Sequence, residues 1–236
     1  MVSFRTFAMA MNRLIDREID LRNPRTAFRA LPQRRLTPRF VIASALISTA
    51  IFLASAWVLG PLCFTLSPVP IFLAAIYPYL KRFTWLSHWG LGIILGISPY
   101  GAWLASRPEF SWVPGLLLIG VTSWVAGFDI LYSLQDFEFD RTSGLHSLAA
   151  RFGPRKALRT ARWLHLIAFL AWAGSGALAG LSGVFGVGMA LAGILLVREH
   201  WLVGRFGLVK MNQAFFTMNV AVSTLVFAAA VVDLLR

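Results

Sequence analysis

Cysteine, acidic residues and charge of either sign are all scarce in this chain of 236 residues. Its one cysteine, Cys63, excludes an internal disulfide framework, and its apolar neighbourhood makes a small buried thiol the expectation. Charged residues make up 14% of the chain and hydrophobic ones 58%, a balance unlike that of an ordinary soluble domain. The four histidines show no metal-ligand spacing. Neither a Ser/His/Asp nor a Cys/His set stands out, so chemistry through a covalent enzyme intermediate has no visible carrier. His88, His165 and His200 fall near the expected ends of apolar segments and read as interfacial, and His146 reads as a loop residue. No cleavable signal peptide is visible.

The sequence is rich instead in long uncharged runs: Phe40 to Leu80, Phe83 to Ser106, Phe110 to Phe128, Trp163 to Val197 and Met211 to Val232. Each approaches or exceeds the roughly 18 residues that suggest a bilayer span. The first and fourth suffice for two crossings, with breaks expected at Ser67-Pro68-Val69-Pro70 and Gly180-Leu181-Ser182-Gly183. Lipid offers backbone groups no hydrogen-bond partner, so these segments must be helices. The expectation is an all-α integral membrane protein: one transmembrane domain over residues 1–236, with about seven full spans plus part of another.

The net charge of +12 could indicate a nucleic-acid partner, but the basic residues sort by loop. Residues 13 to 39 hold eight arginines; Lys81 and Arg82 follow the next pair of spans. Arg141, Arg151, Arg155, Lys156, Arg159 and Arg162 mark a third loop, and Arg198, Arg205 and Lys210 a fourth. The alternate loops are nearly free of charge. This is the positive-inside pattern. It removes nucleic acid as a partner, makes the lipid bilayer one, and places the basic loops in the cytoplasm, with caps over about 17–39 and 137–162.

Of only ten acidic residues, seven fall in two clusters. "LIDREID" (14–20) and "LQDFEFD" (134–140) share L-x-D-x-E-x-D, and both end helices that run toward the basic side. An internal duplication and a chance likeness of a short string both account for this. At about 100° per residue, Asn12, Asp16 and Asp20 share one helix face, as do Asp129, Asp136 and Asp140. Glu18 and Glu138 point the other way and read as solvated or paired with arginine. Carboxylates stacked on one face repel each other beside a membrane unless a cation compensates. Neighbouring arginines could supply part of that cation. Two such faces converging suit a hard divalent ion, most simply Mg²⁺, shared with the oxygens of a phosphate or diphosphate. A transporter would also explain acids in a membrane protein, but not their clustering at helix ends.

The run N-x-x-x-D-x-x-x-D from Asn12, followed by "NPRTAFRALP", then "YPYLKRFT", then "DILYSLQDFEFDRTSGLHSLAARFG", resembles the UbiA superfamily of intramembrane aromatic prenyltransferases. The nearest subgroup is that of bacterial 4-hydroxybenzoate polyprenyltransferase-like proteins. The resemblance covers nearly the whole chain. It implies a helical bundle around a central cavity in the bacterial inner membrane, with the active site facing the cytoplasm. It further implies transfer of a polyprenyl group from polyprenyl diphosphate to a small aromatic acid of the 4-hydroxybenzoate type in quinone synthesis. A dihydroxynaphthoate acceptor, on the futalosine route to menaquinone, is the alternative.

By motif, Asn12, Asp16, Asp20, Asp129, Asp136 and Asp140 would hold Mg²⁺, with Asp16 and Asp136 central to catalysis. Lys81 and Arg25 match the family's diphosphate-binding positions. Arg141 and Tyr132 join them as candidates, with charge neutralisation and an interfacial aromatic as the respective alternatives. Arg5, seven residues before Asn12 and on its face, is the candidate contact for the aromatic acid's carboxylate. Relative to the family, the sequence begins inside the second helix, so the first helix and part of the second are expected to be absent from it.

Overall fold

Residues that cannot leave a backbone group unpaired in lipid form helices throughout the computed structural model. It describes residues 1–207, 211 and 213–236. Lys210, assigned above to the fourth basic loop, lies outside them. In chain order the helices are α1 (Val2–Ile15), α2 (Arg17–Arg22), α3 (Pro38–Leu59), α4 (Pro61–Leu66), α5 (Pro68–Leu80) and α6 (Ser87–Ser106). They continue as α7 (Trp112–Ser133), α8 (Phe137–Thr142), α9 (Leu148–Phe152), α10 (Pro154–Leu178), α11 (Gly183–Phe206) and α12 (Asn219–Leu234). A 3₁₀ turn, Leu134–Asp136, links α7 to α8, and a π turn, Gln213–Met218, leads into α12. No β-strand occurs among the described residues.

Among the described residues five stretches are long and apolar enough to cross a membrane: Pro38–Leu59, Pro61–Leu80, Trp112–Thr142, Gly183–Arg205 and Phe216–Leu234. The 20-residue α6 and 25-residue α10 match them in length. The break in the first long run lies earlier than Ser67–Pro70. Gly60 takes φ +127°, a conformation that costs glycine little, and Pro61 starts the next helix in the position where its missing N–H is not needed. A second interruption does fall at Ser67, between α4 and α5, but the chain runs on there with the Ser67 hydroxyl donating to the Phe64 carbonyl, and Pro61–Leu80 remains one candidate span. Prolines are tolerated in spanning helices where neighbours re-satisfy the backbone. The second expected break is where it was placed, at Gly180 with φ +72°.

The basic loops are shorter than charge suggests, because helices continue past the apolar runs into polar surroundings. α10 begins at Pro154 rather than Trp163, so the second cap ends at residue 153. Arg198 and Arg205 are on α11. Cys63, expected buried, is half-buried on α4 and is free.

Close packing sets the geometry around the acids. α7 packs against both α6 and α10. A Cβ added at Gly92 would come within 2.4 Å of the Thr122 carbonyl oxygen, and one at Gly96 within 2.2 Å of the Thr122 hydroxyl. The Gly92-x-x-x-Gly96 pair therefore brings α6 and α7 into near backbone contact. At the basic end, Ile130, Leu131 and Leu134 pack with Leu148, Ala149, Ala157 and Ala161, which fixes the second cap to α7 and α10. Leu148, only 2% exposed, contributes roughly 1.5–3 kcal/mol by burial.

Candidate active site

Both acidic segments occur where a long helix gives way to a short one. α1 ends at Ile15, and Asp16 takes φ −89°, ψ 5° before α2 begins. The backbone bonds Asp16 N–H to Asn12 O and Asp20 N–H to Asp16 O bridge the break, at 3.0 and 2.7 Å. The straight helix assumed from the sequence is thus interrupted, yet Asn12, Asp16 and Asp20 still face one cavity. α7 tightens into its 3₁₀ turn, and Asp136 adopts φ −99°, ψ 6° before α8. Asp129, Asp136 and Asp140 line the same cavity, of about 210 Å³. Glu18 and Glu138 are exposed outside it, as their helix faces required.

The strap that joins α2 to α3 (23–37) lies across the two segments. Thr26 donates its hydroxyl to the Asp20 carbonyl at 3.0 Å, and Asn23 Oδ1 accepts from the Arg25 N–H at 2.9 Å. This local turn delivers Arg25 to Asp136: Nε bonds Oδ1 at 2.8 Å, and one terminal nitrogen bonds Oδ2. The other terminal nitrogen reaches the Tyr132 hydroxyl at 3.1 Å. Asn23 Nδ2 adds a 2.9 Å bond to Asp136. Arg29 pairs with Asp20 at 2.6 Å, and Lys81 Nζ, at the end of α5, with Asp16 at 2.5 Å. Arg82 bonds the Ile15 carbonyl at 2.6 Å. Salt bridging, expected for part of the acidic set, thus covers Asp16, Asp20 and Asp136.

The two remaining acids differ. Among the described residues no lysine or arginine pairs with Asp129 or Asp140. Asp129 Oδ2 lies 2.7 Å from His88 Nδ1, and Asp140 shares the cavity wall with Ser147. Asp16 and Asp20 are only 3% and 4% exposed. Burial pushes the Asp16 carboxyl above its ordinary range, and the Lys81 ammonium draws it back only in part.

Mg²⁺ suits this donor set. Asp16 Oδ1 and Asp20 Oδ2 are buried without a hydrogen-bond partner, facing Arg82 at 3.9 Å and Arg13 at 3.8 Å, beyond hydrogen-bond reach, so each retains an oxygen that a cation can take. Among the described residues no three acidic, His or Cys groups converge tightly enough to cage a metal alone. Mg²⁺ does not ask for that: it takes one or two carboxylates, waters and substrate phosphate oxygens.

Of the residues singled out in the sequence, Asn12, Asp16, Asp20, Arg25, Lys81, Asp129, Tyr132, Asp136 and Asp140 line this one cavity. Two do not. Arg141 is exposed on α8 and pairs loosely with Glu138 at 3.8 Å. Arg5 is exposed on α1 and lines neither this cavity nor the apolar one described next. Asn23, Arg29, Ser147 and His88 are cavity residues that the sequence alone did not single out as part of the site. His88 is not interfacial: it is 4% exposed. Nor is His165, buried beside Glu199 and 3.0 Å from His200 in the packing of α10 and α11.

A second cavity, of about 500 Å³, has an almost wholly apolar lining that includes Leu95, Val121, Trp124 and Phe128. α7 lines both spaces, with Val121 to Phe128 on the apolar one and Asp129 to Asp136 on the polar one. A charged ligand head and a hydrocarbon tail therefore find matching surroundings along one helix.

The profile of the UbiA prenyltransferase family matches residues 1–221. A 4-hydroxybenzoate octaprenyltransferase of Saccharophagus degradans is 32% identical, over 98% of this chain and 77% of its own. The apo structure of a UbiA homologue from Aeropyrum pernix K1 superposes with a TM-score of 0.89 and 34% identity, over 99% of this chain and 86% of that one. A UbiA homologue from Archaeoglobus fulgidus, solved with DMAPP and Mg²⁺, shares the fold at a TM-score of 0.68 and 16% identity, over 99% of this chain and 85% of its own.

Proposed function

The chain belongs to the UbiA prenyltransferase family, and we propose that it transfers a polyprenyl group from polyprenyl diphosphate to 4-hydroxybenzoate or a closely similar aromatic acid. One observation carries this reading: two acidic helix breaks and three cations converge on a single polar cavity beside an apolar one. The relative from Saccharophagus degradans supports the acceptor, and the Archaeoglobus fulgidus homologue supports Mg²⁺ with an isoprenoid diphosphate.

Asp16, Asp20, Asp129, Asp136 and Asp140 would hold Mg²⁺ together with the diphosphate, and Asn12 would orient Asp16 through their 3.4 Å contact. Bound Mg²⁺ stabilises the negative charge that grows on the departing diphosphate. Lys81 and Arg25 add fixed positive charge at the same place, with Arg29 beside them. Each now bonds a carboxylate, and a phosphate oxygen is an equivalent acceptor for the same N–H groups. Tyr132 offers its hydroxyl from the same wall. The allylic C–O bond breaks, the ring carbon of the acceptor forms the new C–C bond, and the ring loses a proton. The apolar cavity excludes water from the cationic carbon and accommodates the prenyl chain.

The basic end of the bundle faces the cytoplasm of a bacterial cell, by the asymmetry of Lys and Arg. With Cys63 changed to Ser, a cysteine placed within residues 141–153 is expected to label from the cytoplasmic side only. The activity test uses membranes containing the chain, polyprenyl diphosphate and labelled 4-hydroxybenzoate. EDTA is expected to abolish transfer and added Mg²⁺ to restore it. Full transfer in EDTA, or none under any condition, overturns the reading.

A further inference from the structure

His88 opens the first turn of α6, and the glycine contact between α6 and α7 holds that turn against Asp129. Both ring nitrogens are engaged. Nδ1 is 2.7 Å from Asp129 Oδ2, and Nε2 accepts from the Leu148 N–H at 3.5 Å. An imidazole nitrogen that accepts carries no proton. Nε2 is therefore bare, Nδ1 holds the proton, and Nδ1 donates it to Asp129 in a hydrogen bond. Among the described residues Asp129 meets no lysine or arginine, unlike Asp16, Asp20 and Asp136.

Leu148 is the first residue of α9, so its N–H is one of the donors that a helix start leaves without an internal partner. His88 satisfies it. One buried ring therefore joins a cavity carboxylate to the start of the cap helix. The adjoining residue, Ser147, caps α9 through Ala150 N–H and lines the cavity with Asp140. The cap helix and the Asp129 carboxylate meet at this ring.

We propose that His88 is the positioning residue of the second acidic segment. It occupies Oδ2 of Asp129, fixes that carboxylate on the cavity wall, and ties its orientation to the start of the cap helix. Imidazole–carboxylate pairs of this kind orient groups that bind metal ions. The inference rests on Asp129 being one of the Mg²⁺ carboxylates of the proposed function.

The test measures Mn²⁺, as a spectroscopic stand-in for Mg²⁺, binding to the purified full chain with an unreactive thiolo analogue of geranyl diphosphate. Electron paramagnetic resonance reads the bound fraction without turnover. His88→Ala is expected to weaken Mn²⁺ binding by about 10- to 100-fold. His88→Asn places an amide N–H where Nδ1 donates, and is expected to recover most of the loss. The thermal midpoint of each variant is measured in parallel, because a merely structural role would lower it and leave Mn²⁺ affinity alone. Wild-type affinity in His88→Ala overturns the inference, and so does an Asn variant as weak as the Ala one. Should His88→Ala not fold, His88→Phe keeps the ring volume without the donor, and wild-type Mn²⁺ affinity in it overturns the inference equally. A wild-type chain that binds no Mn²⁺ with the analogue overturns the metal reading itself, and this inference with it.

Discussion

Asp16 and Asp136 occupy matching places in two segments of the chain. Each follows a long helix, takes nearly the same backbone angles, and precedes a six-residue helix whose glutamate faces outward. Their surroundings are unlike. The first segment lies deep, with the Asp16 and Asp20 side chains 4% and 6% exposed, and lysine or arginine meets both acids. In the second, among the described residues, Asp136 alone meets arginine, while Asp129 at 28% side-chain exposure has a histidine and Asp140 lies beside Ser147 on the cavity wall. Matching backbones with unmatched counter-charges divide the labour. The first segment is already neutralised and cannot lose its cations without stranding a buried charge. Among the described residues the second keeps two carboxylates that no lysine or arginine meets, which on the proposed function are the ones open to a metal ion.

Removing charge from the second segment should have the largest effect. Asp129→Asn is expected to lower prenyl transfer by at least about 100-fold while displacing no lysine or arginine, so the unfolding midpoint should hardly move. A near wild-type rate in Asp129→Asn would break the comparison at its centre. Asp136→Asn should cost a similar factor and also loosen the Arg25 contact of the strap. Rates with labelled acceptor, set beside melting curves in detergent, separate the two effects.

The first segment should show the opposite balance. Lys81→Met leaves the Asp16 carboxylate buried without its closest cation, which costs about 3 kcal/mol or more. Adding Asp16→Asn removes the stranded charge and should restore much of that stability, though not activity. Arg141→Met, at an exposed pair, should leave the unfolding midpoint where it is. Denaturant titration of the four proteins in detergent checks this. Equal stability in Lys81→Met and wild type would mean that the first segment's counter-charge is not structural.

Much of this arrangement is legible in the sequence, and what is hidden has a physical reason. Apolar runs announce helices because lipid permits little else, and the charge-poor composition makes seven clustered acids conspicuous. The turn at Gly60 escaped because prolines at 68 and 70 look like the stronger break, whereas a spanning helix absorbs them. Asn12, Asp16 and Asp20 could be grouped because they lie on one face of one segment. The pairing of Arg25 with Asp136 could not, since the strap must first fold across residues far along the chain. His88 was hidden for the same reason: a histidine at a helix start reads as interfacial until the helix carrying Asp129 is laid against it. The two acidic strings suggested a repeat, but not which copy would be neutralised by the protein's own cations.

Arg5 tests whether the first segment reaches toward the acceptor. Its helix leads into Asn12, but its side chain is exposed and borders neither cavity. Arg5→Ala is therefore expected to change the KM for either substrate by no more than about twofold, as for other exposed substitutions. A selective rise in the KM for the aromatic acid, with the prenyl diphosphate unaffected, would bring Arg5 into the acceptor site.

The smallest effects should come from Glu18 and Glu138, the glutamates at matching places in the two segments. Each has the charge of its aspartate neighbours and stands two residues from one, so proximity in sequence alone would make it a ligand. The helix turns it away: both side chains are exposed, and neither lines the polar cavity. Glu138 meets the exposed Arg141 at 3.8 Å, a contact of little consequence in water. Glu18→Gln and Glu138→Gln should each keep the wild-type rate and Mg²⁺ requirement to within about twofold. The comparison is between neighbours: Glu138→Gln against Asp136→Asn, and Glu18→Gln against Asp16→Asn. If either glutamate change cost as much as its aspartate partner, helix facing would not be what selects the metal-holding acids. The two segments would then differ by something other than their counter-charges.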